Sequence, residues 1–318
     1  MEKSHPPHDK KQAKKSGVEE KKKSISLWKK IIAVIIFIPF LPIALLVMML
    51  MSGQHSSDTV TVDQRFNLSS LIKSPYRDTQ KGVYNYSFAY CGDPHMHETG
   101  DGNFPKLADT IKAIRSSFII FGGDLTYMGK EKEYNNFINH ARALTAPAYP
   151  SLGENDLYGG GWSYYWKYLG PSTYSFIGGN AKFIVIDTAS SAIGEKQMEW
   201  IKTELRTNKQ PLLFVISHMP IYGGNHGIYE FPKNEERAAL IAMFEKYRVN
   251  YVLEGHYHGF VEEVVNDVHY VTSGSFSDGI LDAGQRHFLI FHVYGPNVKI
   301  EQVMIDPVSP IEYRQNEV

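Results

Sequence analysis

The stretch Tyr251-Val252-Leu253-Glu254-Gly255-His256-Tyr257-His258 joins a short apolar run to a glycine and then to two histidines one residue apart. Such a run is typical of a buried strand, and the glycine allows close backbone approach at its end. Two neutral imidazoles at a strand end are good ligands for borderline or transition metals. On its own the pair also fits a polar turn with two solvated histidines, so the interpretation depends on the other strand ends.

Four other apolar runs also end in residues that can bind metals. In parallel α/β sheets, ligands bind outside the carboxyl ends of the strands, so these residues are expected to meet at one edge. They are Asp93, His95 and His97 after residues 84–91, Asp124 after 117–121, Glu154, Asn155 and Asp156 after 146–150, and His218 after 212–217. Carboxylates and histidines at five strand ends are hard to explain as solvated loops, and they predict a metal site.

The order of the predicted elements indicates an α/β fold. Helical periodicity is seen at residues 107–115, 131–144, 195–206 and 234–247. Besides the runs above, strands are predicted at 183–187, 268–273, 287–293 and 298–304. Strands that alternate with helices, followed by a strand-rich C-terminal third, predict two packed sheets in a two-sheet αββα sandwich.

A division of charge separates the N-terminal segment from the rest of the chain. Residues 1–30 carry ten lysines against four acidic residues, a net charge of +6, whereas the remainder carries −7. Residues 31–51 contain no charge, and a helix of that length spans about 30 Å, the thickness of a bilayer's hydrocarbon core. We therefore predict a disordered basic tail at 1–30, a transmembrane helix at 31–51, a linker at 52–82 and a folded domain at 83–310.

The lysines before the apolar segment predict a cytoplasmic N-terminus and an extracytoplasmic domain, because positive charge stays on the cytoplasmic side. A cleaved secretory signal is the main alternative, although residues 51–55 offer no convincing small-x-small cleavage site. A buried core helix is a second alternative. The mildly acidic body argues against nucleic acid as a partner. The single cysteine, Cys91, excludes an internal disulfide and is expected to be a buried structural thiol.

Taken together, these residues make the chain resemble the calcineurin-like metallophosphoesterase superfamily over about residues 84–305. The family pattern is Asp-x-His, Gly-Asp, Gly-Asn-His-Asp/Glu, a strand-terminal His and Gly-His-x-His, and this chain supplies four of the five motifs. The resemblance implies the metallophosphoesterase type of sandwich and a centre of two metal ions, of iron, manganese or zinc. It further implies that Asp93, His95 and His258 hold one ion, that His218 and His256 hold the other, and that Asp124 bridges both.

The third motif departs from the family pattern. Glu154 stands where the family has an asparagine ligand, and Asn155 where it has the histidine thought to protonate the leaving group. Glu154 is expected to bind metal through its carboxylate and to add negative charge, whereas Asn155 cannot donate a proton to an alkoxide. The alternative is a local slip that places Asn155 on the metal.

The predicted catalytic residues are Asn155, Asp156 and His226. His226 lies a few residues after His218, where similar enzymes carry a histidine that faces the substrate. It is therefore a candidate to bind phosphate or to replace the lost proton donor, and His97 is the weaker candidate. The alternative for His226 is a solvated loop histidine.

Residues 123–127 and 215–218 look like the purple acid phosphatase branch, in which the tyrosine of the Gly-Asp motif binds ferric iron. That branch lacks the histidine found here at His95, which favours a packing role for Tyr127. An aromatic cluster at 162–168 is expected either to line a substrate cleft or to pack the fold.

These patterns predict a single-pass, membrane-anchored metallophosphoesterase that hydrolyses a phosphomonoester or phosphodiester. Its expected partners are the phosphorylated substrate and, through residues 31–51, the membrane. Two alternatives remain: a catalytically weak or inactive pseudoenzyme that binds a phosphorylated ligand at the cell envelope, and a metal-stabilised scaffold.

Overall fold

The structure, a computed structural model, describes residues 60–222, 227–277 and 286–305. The predicted tail, the predicted membrane segment at 31–51 and the candidate residue His226 lie outside the described residues. Within the described ranges, no helix combines the length and apolar character needed to cross a membrane.

The helices and strands alternate along the first two thirds of the described chain. The helices are α1 (Val62–Leu71), α2 (Phe104–Ile114), α3 (Glu131–Ala143), α4 (Trp162–Tyr168), α5 (Glu195–Arg206) and α6 (Asn234–Lys246), with 3-10 turns at Asn155–Gly160 and Gly227–Tyr229. The strands are β1 (Asn85–Cys91), β2 (Phe118–Phe121), β3 (Ala148–Pro150), β4 (Tyr174–Gly178), β5 (Ala181–Val185), β6 (Leu212–Ile216), β7 (Tyr251–Glu254), β8 (Val261–Val265), β9 (Val268–Thr272), β10 (His287–Tyr294) and β11 (Asn297–Met304).

The strands form two mixed sheets, in the orders β11-β10-β1-β2-β3 and β4-β5-β6-β7-β9-β8. In the first sheet β1, β2 and β3 are parallel, β10 pairs antiparallel with β1, and the edge strand β11 pairs antiparallel with β10. In the second sheet β5, β6, β7 and β9 are parallel, and β4 and β8 are antiparallel edge strands. The fold class is therefore α/β with two mixed sheets.

A layer of aromatic side chains joins the two sheets face to face. Phe88 stacks between Phe118 and Phe291 of its own sheet, at centroid distances of 5.0 and 4.8 Å. The edges of Phe183 and Phe214, from the other sheet, meet Phe88 at 5.3 and 5.5 Å. Aromatic pairs in these geometries contribute roughly 0.5–1.5 kcal/mol each beyond the burial of their area, so this layer fixes the position of one sheet on the other.

Helices cover the outer face of each sheet, as the αββα prediction requires. Leu107 and Ile111 of α2 are one helical turn apart and pack with Phe137 of α3 against the first sheet. Ile201 of α5 and Phe244 of α6 pack against the second sheet. Four helices and strands were not predicted from sequence: helix α1, the edge strands β4 and β8, and helix α4 within the aromatic cluster.

Helix α1 lies within residues 52–82, for which a linker was predicted. Thr61 is the N-cap of this helix. Gln64, at the third helical position, accepts a hydrogen bond from the backbone N–H of Thr61 and so completes a capping box. Arg65 is completely buried and donates from Nε and Nη2 to the carboxylate of Asp187, at 2.8 and 3.1 Å. The residues look like a linker because they are polar, but the buried charge of Arg65 has its partner 122 positions away.

Replacement of Arg65 by methionine should lower the free energy of unfolding by about 3–5 kcal/mol, because the buried carboxylate of Asp187 loses its cation. Urea denaturation measures the change. Lys81→Met is the control, since its ion pair with Asp78 is exposed and 3.7 Å long, and should leave stability nearly unchanged. Equal effects of the two substitutions would show that the buried ion pair between Arg65 and Asp187 does not stabilise the fold.

Candidate metal centre

The seven predicted metal ligands meet at one edge of the sandwich. Parallel strands end at the same edge, so the loops after β1, β2 and β3 meet those after β6 and β7. The loops contribute Asp93 and His95 (after β1), Asp124 (after β2), Glu154 (after β3), His218 (after β6), and His256 and His258 (after β7).

Asp93, His95 and His258 form the first ligand group. One potential ligand atom from each lies within 4.8 Å of the others, and all three residues are buried. Oδ1 of Asp93 is 3.4 Å from Nε2 of His258 and 3.9 Å from Nε2 of His95. These three residues are those that the family resemblance assigns to one ion.

Glu154, His218 and His256 form the second ligand group, with ligand atoms again within 4.8 Å of one another. The carboxylate of Glu154 uses both oxygens: Oε2 is 2.7 Å from Nε2 of His218, and Oε1 is 2.6 Å from Nδ1 of His256. Glu154, rather than Asn155, therefore stands beside the two histidines, which argues against the local slip.

Asp124 lies between the two groups and turns one oxygen toward each. Oδ2 is 3.3 Å from Nε2 of His95, and Oδ1 is 3.5 Å from Nε2 of His218. Its carboxylate is also fixed by the backbone N–H of Asn155, which donates to Oδ1 at 2.8 Å. This is the arrangement expected of a bridging ligand.

The tautomer of His218 shows that the donor set fits a metal. Nδ1 lies 2.9 Å from the carbonyl oxygen of Gly122, which can only accept, so Nδ1 carries a proton. In a neutral ring the lone pair of Nε2 then faces the carboxylates of Glu154 and Asp124. Nε2 of His218 and both ring nitrogens of His95 are buried, and no described residue gives them a well-formed hydrogen bond. Lone pairs and carboxylates that face one another fit a shared cation, and the nitrogen and oxygen donors suit iron, manganese or zinc.

Opposite charges outweigh burial in setting the protonation of the second ligand group. Burial would raise the pKa of Glu154, but the imidazoles of His256 and His218 hold that pKa well below its usual range. Burial would lower the pKa of His218, but the carboxylates of Asp124 and Glu154 hold that pKa well above its usual range. In the metal-free chain Glu154 is thus ionised and Nε2 of His218 also holds a proton, which a bound metal ion would replace.

Five of the ligand residues have left-handed backbone conformations. The φ angles are 49° for Asp93, 45° for His95, 48° for Asp124, 64° for His256 and 58° for His258. Residues with a Cβ seldom adopt such angles, and they concentrate at functional sites where the surrounding structure enforces them. The loops therefore turn sharply after each strand and direct these side chains to the common edge.

Glycines beside the ligands leave room for them. A Cβ on Gly123 would lie 2.5 Å from Nδ1 of His218, and one on Gly255 would lie 2.7 Å from Oδ2 of Asp93. Gly123 also has a φ of 94°, which favours glycine. These contacts explain why a glycine precedes Asp124 and His256 in the sequence.

Asp156, predicted as a catalytic residue, has the contacts of a positioning residue. Its buried carboxylate accepts hydrogen bonds from the backbone N–H groups of Leu125, Thr126 and Gly153 at 3.0–3.1 Å and from the hydroxyl of Thr126 at 2.9 Å. Burial, together with the charge of Asp124, raises its pKa to about 7. Asp156 therefore ties the loop after β2 to the loop after β3.

The structure shows what surrounds the two aromatic features that the sequence analysis singled out. Tyr127 lies against the loop after β1, with its ring centroid 4.5 Å from that of His97 and 6.2 Å from that of His95. His97 itself is exposed. Trp162 and Tyr165 of α4 are buried in the core beneath the first sheet.

Glu254 is a buried residue of the site that was not predicted from the sequence. It ends β7, two positions before His256, and accepts from the N–H of Ile221 at 2.7 Å and the hydroxyl of Thr272 at 3.3 Å. It thereby joins the loop that carries His218 to the strand that leads to His256. The sequence pattern that could have identified Glu254 is a carboxylate at the end of an otherwise apolar run.

The comparisons with known proteins agree with this geometry. The family model for calcineurin-like phosphoesterases matches residues 86–260, more than half of the chain. A phosphoenolpyruvate phosphatase of Allium cepa is 31% identical over 111 residues, which are 33% of this chain and 23% of that protein. The chain thus spans about a quarter of the length of that relative.

Solved structures with similar folds include proteins of different roles. A dimetal phosphatase from Danio rerio has a TM-score of 0.59 at 11% identity, covering 71% of this chain and 96% of that one. GAP50 of Plasmodium, described as the anchor in the inner membrane complex, has a TM-score of 0.54 at 17% identity, covering 69% and 84%. At these identities the similarity establishes the fold alone.

Glu254 generates a pH prediction for the chain kept metal-free with a chelator. Burial raises its pKa from 4.5 to about 8, so between these values the unfolded chain ionises Glu254 while the folded chain keeps the proton. Stability should therefore fall as pH rises through this range, and Glu254→Gln should flatten that slope. Urea denaturation from pH 4.5 to 8 measures both slopes.

Glu199→Gln, on the exposed surface of α5, is the control and should keep the wild-type slope. A wild-type slope for Glu254→Gln would show that another group causes the pH dependence.

Proposed function

The chain belongs to the calcineurin-like phosphoesterase family, and from this membership we propose that it hydrolyses a phosphate ester, either a monoester or a diester, at a centre of two metal ions. The observation that supports the proposal best is the position of Asp124, which turns one carboxylate oxygen toward each of the two ligand groups. A bridging carboxylate between two groups of nitrogen and oxygen ligands is suited to a pair of ions.

The ligand residues would divide into two sets, one for each ion. Asp93, His95 and His258 would hold one ion, Glu154, His218 and His256 the other, and Asp124 both. When bound, two such ions neutralise the phosphate oxygens, lower the pKa of a bound water and stabilise the charge that develops during an in-line displacement. The carbonyl of Gly122 orients the ring of His218, and the backbone N–H of His256 donates to both oxygens of Asp93 at 3.0 Å. These contacts keep the ligand atoms in place for the reaction.

The third motif limits the expected substrates. The amide of Asn155 carries no proton that it could give to a leaving alkoxide, whereas a general acid contributes roughly 10²–10⁴-fold in rate. We therefore propose that the chain favours esters with good leaving groups. His226, which is outside the described residues, and the exposed His97 remain the candidate replacements.

A second candidate function is the binding of a phosphorylated ligand without turnover. It is favoured by the presence of Asn155 where the family has a histidine. The two ligand groups are complete, but the residue at position 155 lacks an acidic proton. Under this function the chain binds phosphate in a metal-dependent way but hydrolyses no ester.

We also propose that residues 31–51 anchor the chain in a membrane, with the N-terminus in the cytoplasm and the enzymatic domain outside. The support is the uncharged apolar segment behind ten lysines. Protease treatment of intact cells should remove the domain but spare the tail, and a protected domain would refute this topology.

Full-length chain should hydrolyse an activated aryl phosphate when supplied with manganese, iron or zinc, and Asp124→Asn should lower kcat by at least about 100-fold. Glu98→Gln is the control, since this exposed carboxylate pairs with Lys130 at 3.1 Å and touches none of the ligand groups. Activity that survives Asp124→Asn unchanged would identify a contaminant or a different site. Metal-dependent phosphate binding without hydrolysis would instead support the second function.

Asn155→His should raise kcat on an alkyl phosphate by about 100-fold, because the new imidazole donates a proton to a poor leaving group. The rate on an activated aryl phosphate, whose leaving group needs no proton, should change little. Asn155→Gln is the matched control and should leave the ratio of the two rates unchanged. An equal rise on both substrates would show that position 155 acts by some means other than protonation.

A further inference from the structure

We propose that Glu154 turns the second ligand group into a metal site that holds its ion without the bridging carboxylate of Asp124. The inference rests on the proposed function, since it concerns the same centre. It goes further because it assigns to Glu154, His218 and His256 the ability to hold an ion by themselves, whereas the resemblance gives that ion two histidines, a neutral asparagine and the shared carboxylate of Asp124.

The geometry of Glu154 carries the proposal. Its two oxygens face two different imidazole nitrogens, at 2.6 and 2.7 Å, so the carboxylate reaches both partners at once. Oδ1 of Asp124 is farther from His218, at 3.5 Å. Two imidazoles and one carboxylate are also a recognised three-ligand set for zinc in proteins.

The presence of Glu154 in place of the family's asparagine makes the two ligand groups chemically alike. The first group has one carboxylate and two imidazoles, from Asp93, His95 and His258. With asparagine at position 154, the second group would have two imidazoles and a neutral amide. With Glu154 it has the same composition as the first, and Asp124 becomes an additional ligand to each rather than the only anion available to one.

The backbone holds Glu154 in place by contacts on both sides of it. The N–H of Gly153 donates to Asp156 at 3.0 Å, and the N–H of Asn155 donates to Oδ1 of Asp124 at 2.8 Å. An asparagine at position 124 keeps an oxygen that can accept the second of these bonds. Asp124→Asn therefore removes the bridging charge while it preserves the loop that carries Glu154.

The test counts zinc ions on the full-length chain by equilibrium dialysis after removal of metal with a chelator. Asp93→Asn with His258→Ala disables the first group and should leave one ion per chain. In this background, Asp124→Asn should weaken binding of that ion by less than about 10-fold. Glu154→Gln, the matched change from carboxylate to amide, should weaken it by more than about 100-fold, because loss of an outer-shell partner alone costs 10–100-fold.

Equal losses for the two amide substitutions, or a larger loss for Asp124→Asn, would overturn the proposal. Circular dichroism confirms that each variant is folded. If the background variant fails to fold, the same pair is compared in the wild-type chain, where Asp124→Asn should still bind two ions and the added Glu154→Gln should remove one. Two bound ions without ester hydrolysis would count against the proposed function alone, since this test requires no turnover.

Discussion

Carboxylates held out of water at one edge of the sandwich set the constraint on which the site depends. Asp93 is completely buried, Asp124 is 2% exposed, and Glu154 lies beside them with a side chain 21% exposed. A buried carboxylate is strongly unfavourable unless it is paired or binds a metal. Four imidazoles surround these three residues, so the edge is built to concentrate ligand atoms rather than to maximise stability. A cation shared among them satisfies the arrangement best.

The same constraint accounts for the strained backbone around the site. Five ligand residues with positive φ would each destabilise an isolated loop. Here the loops leave strands whose relative positions are fixed by the aromatic layer around Phe88, and Glu254 and Asp156 tie neighbouring loops together with buried hydrogen bonds. The rigid sandwich thus supports local conformations that the loops would not adopt alone. Both bracing residues are carboxylates whose raised pKa values reflect that burial.

Much of this site could be predicted from the sequence because the rule involved is topological. Parallel strands end at one edge, so short apolar runs followed by Asp93, Asp124 or His218 predicted where those side chains would meet without any knowledge of long-range contacts. Helix α1 could not be predicted in that way, since Arg65 reads as a surface charge until its partner Asp187 is known. The contacts of Asp156 were hidden for a similar reason: a carboxylate next to ligand residues was predicted to be catalytic, and only the structure shows the four donors through which it braces the loops.

The two departures in the third motif act in the same chemical direction. Glu154 adds an anion to the second ligand group, which strengthens metal binding but reduces the power of a bound ion to withdraw electrons from a phosphate oxygen or from a water. Asn155 removes the proton that a poor leaving group needs. Each change is expected to slow hydrolysis of an unactivated ester, and neither removes a metal ligand from the two groups. A chain with both changes should therefore retain its ions and turn over difficult substrates slowly, which is compatible with both proposed functions, the hydrolysis of esters with good leaving groups and the binding of a phosphorylated ligand.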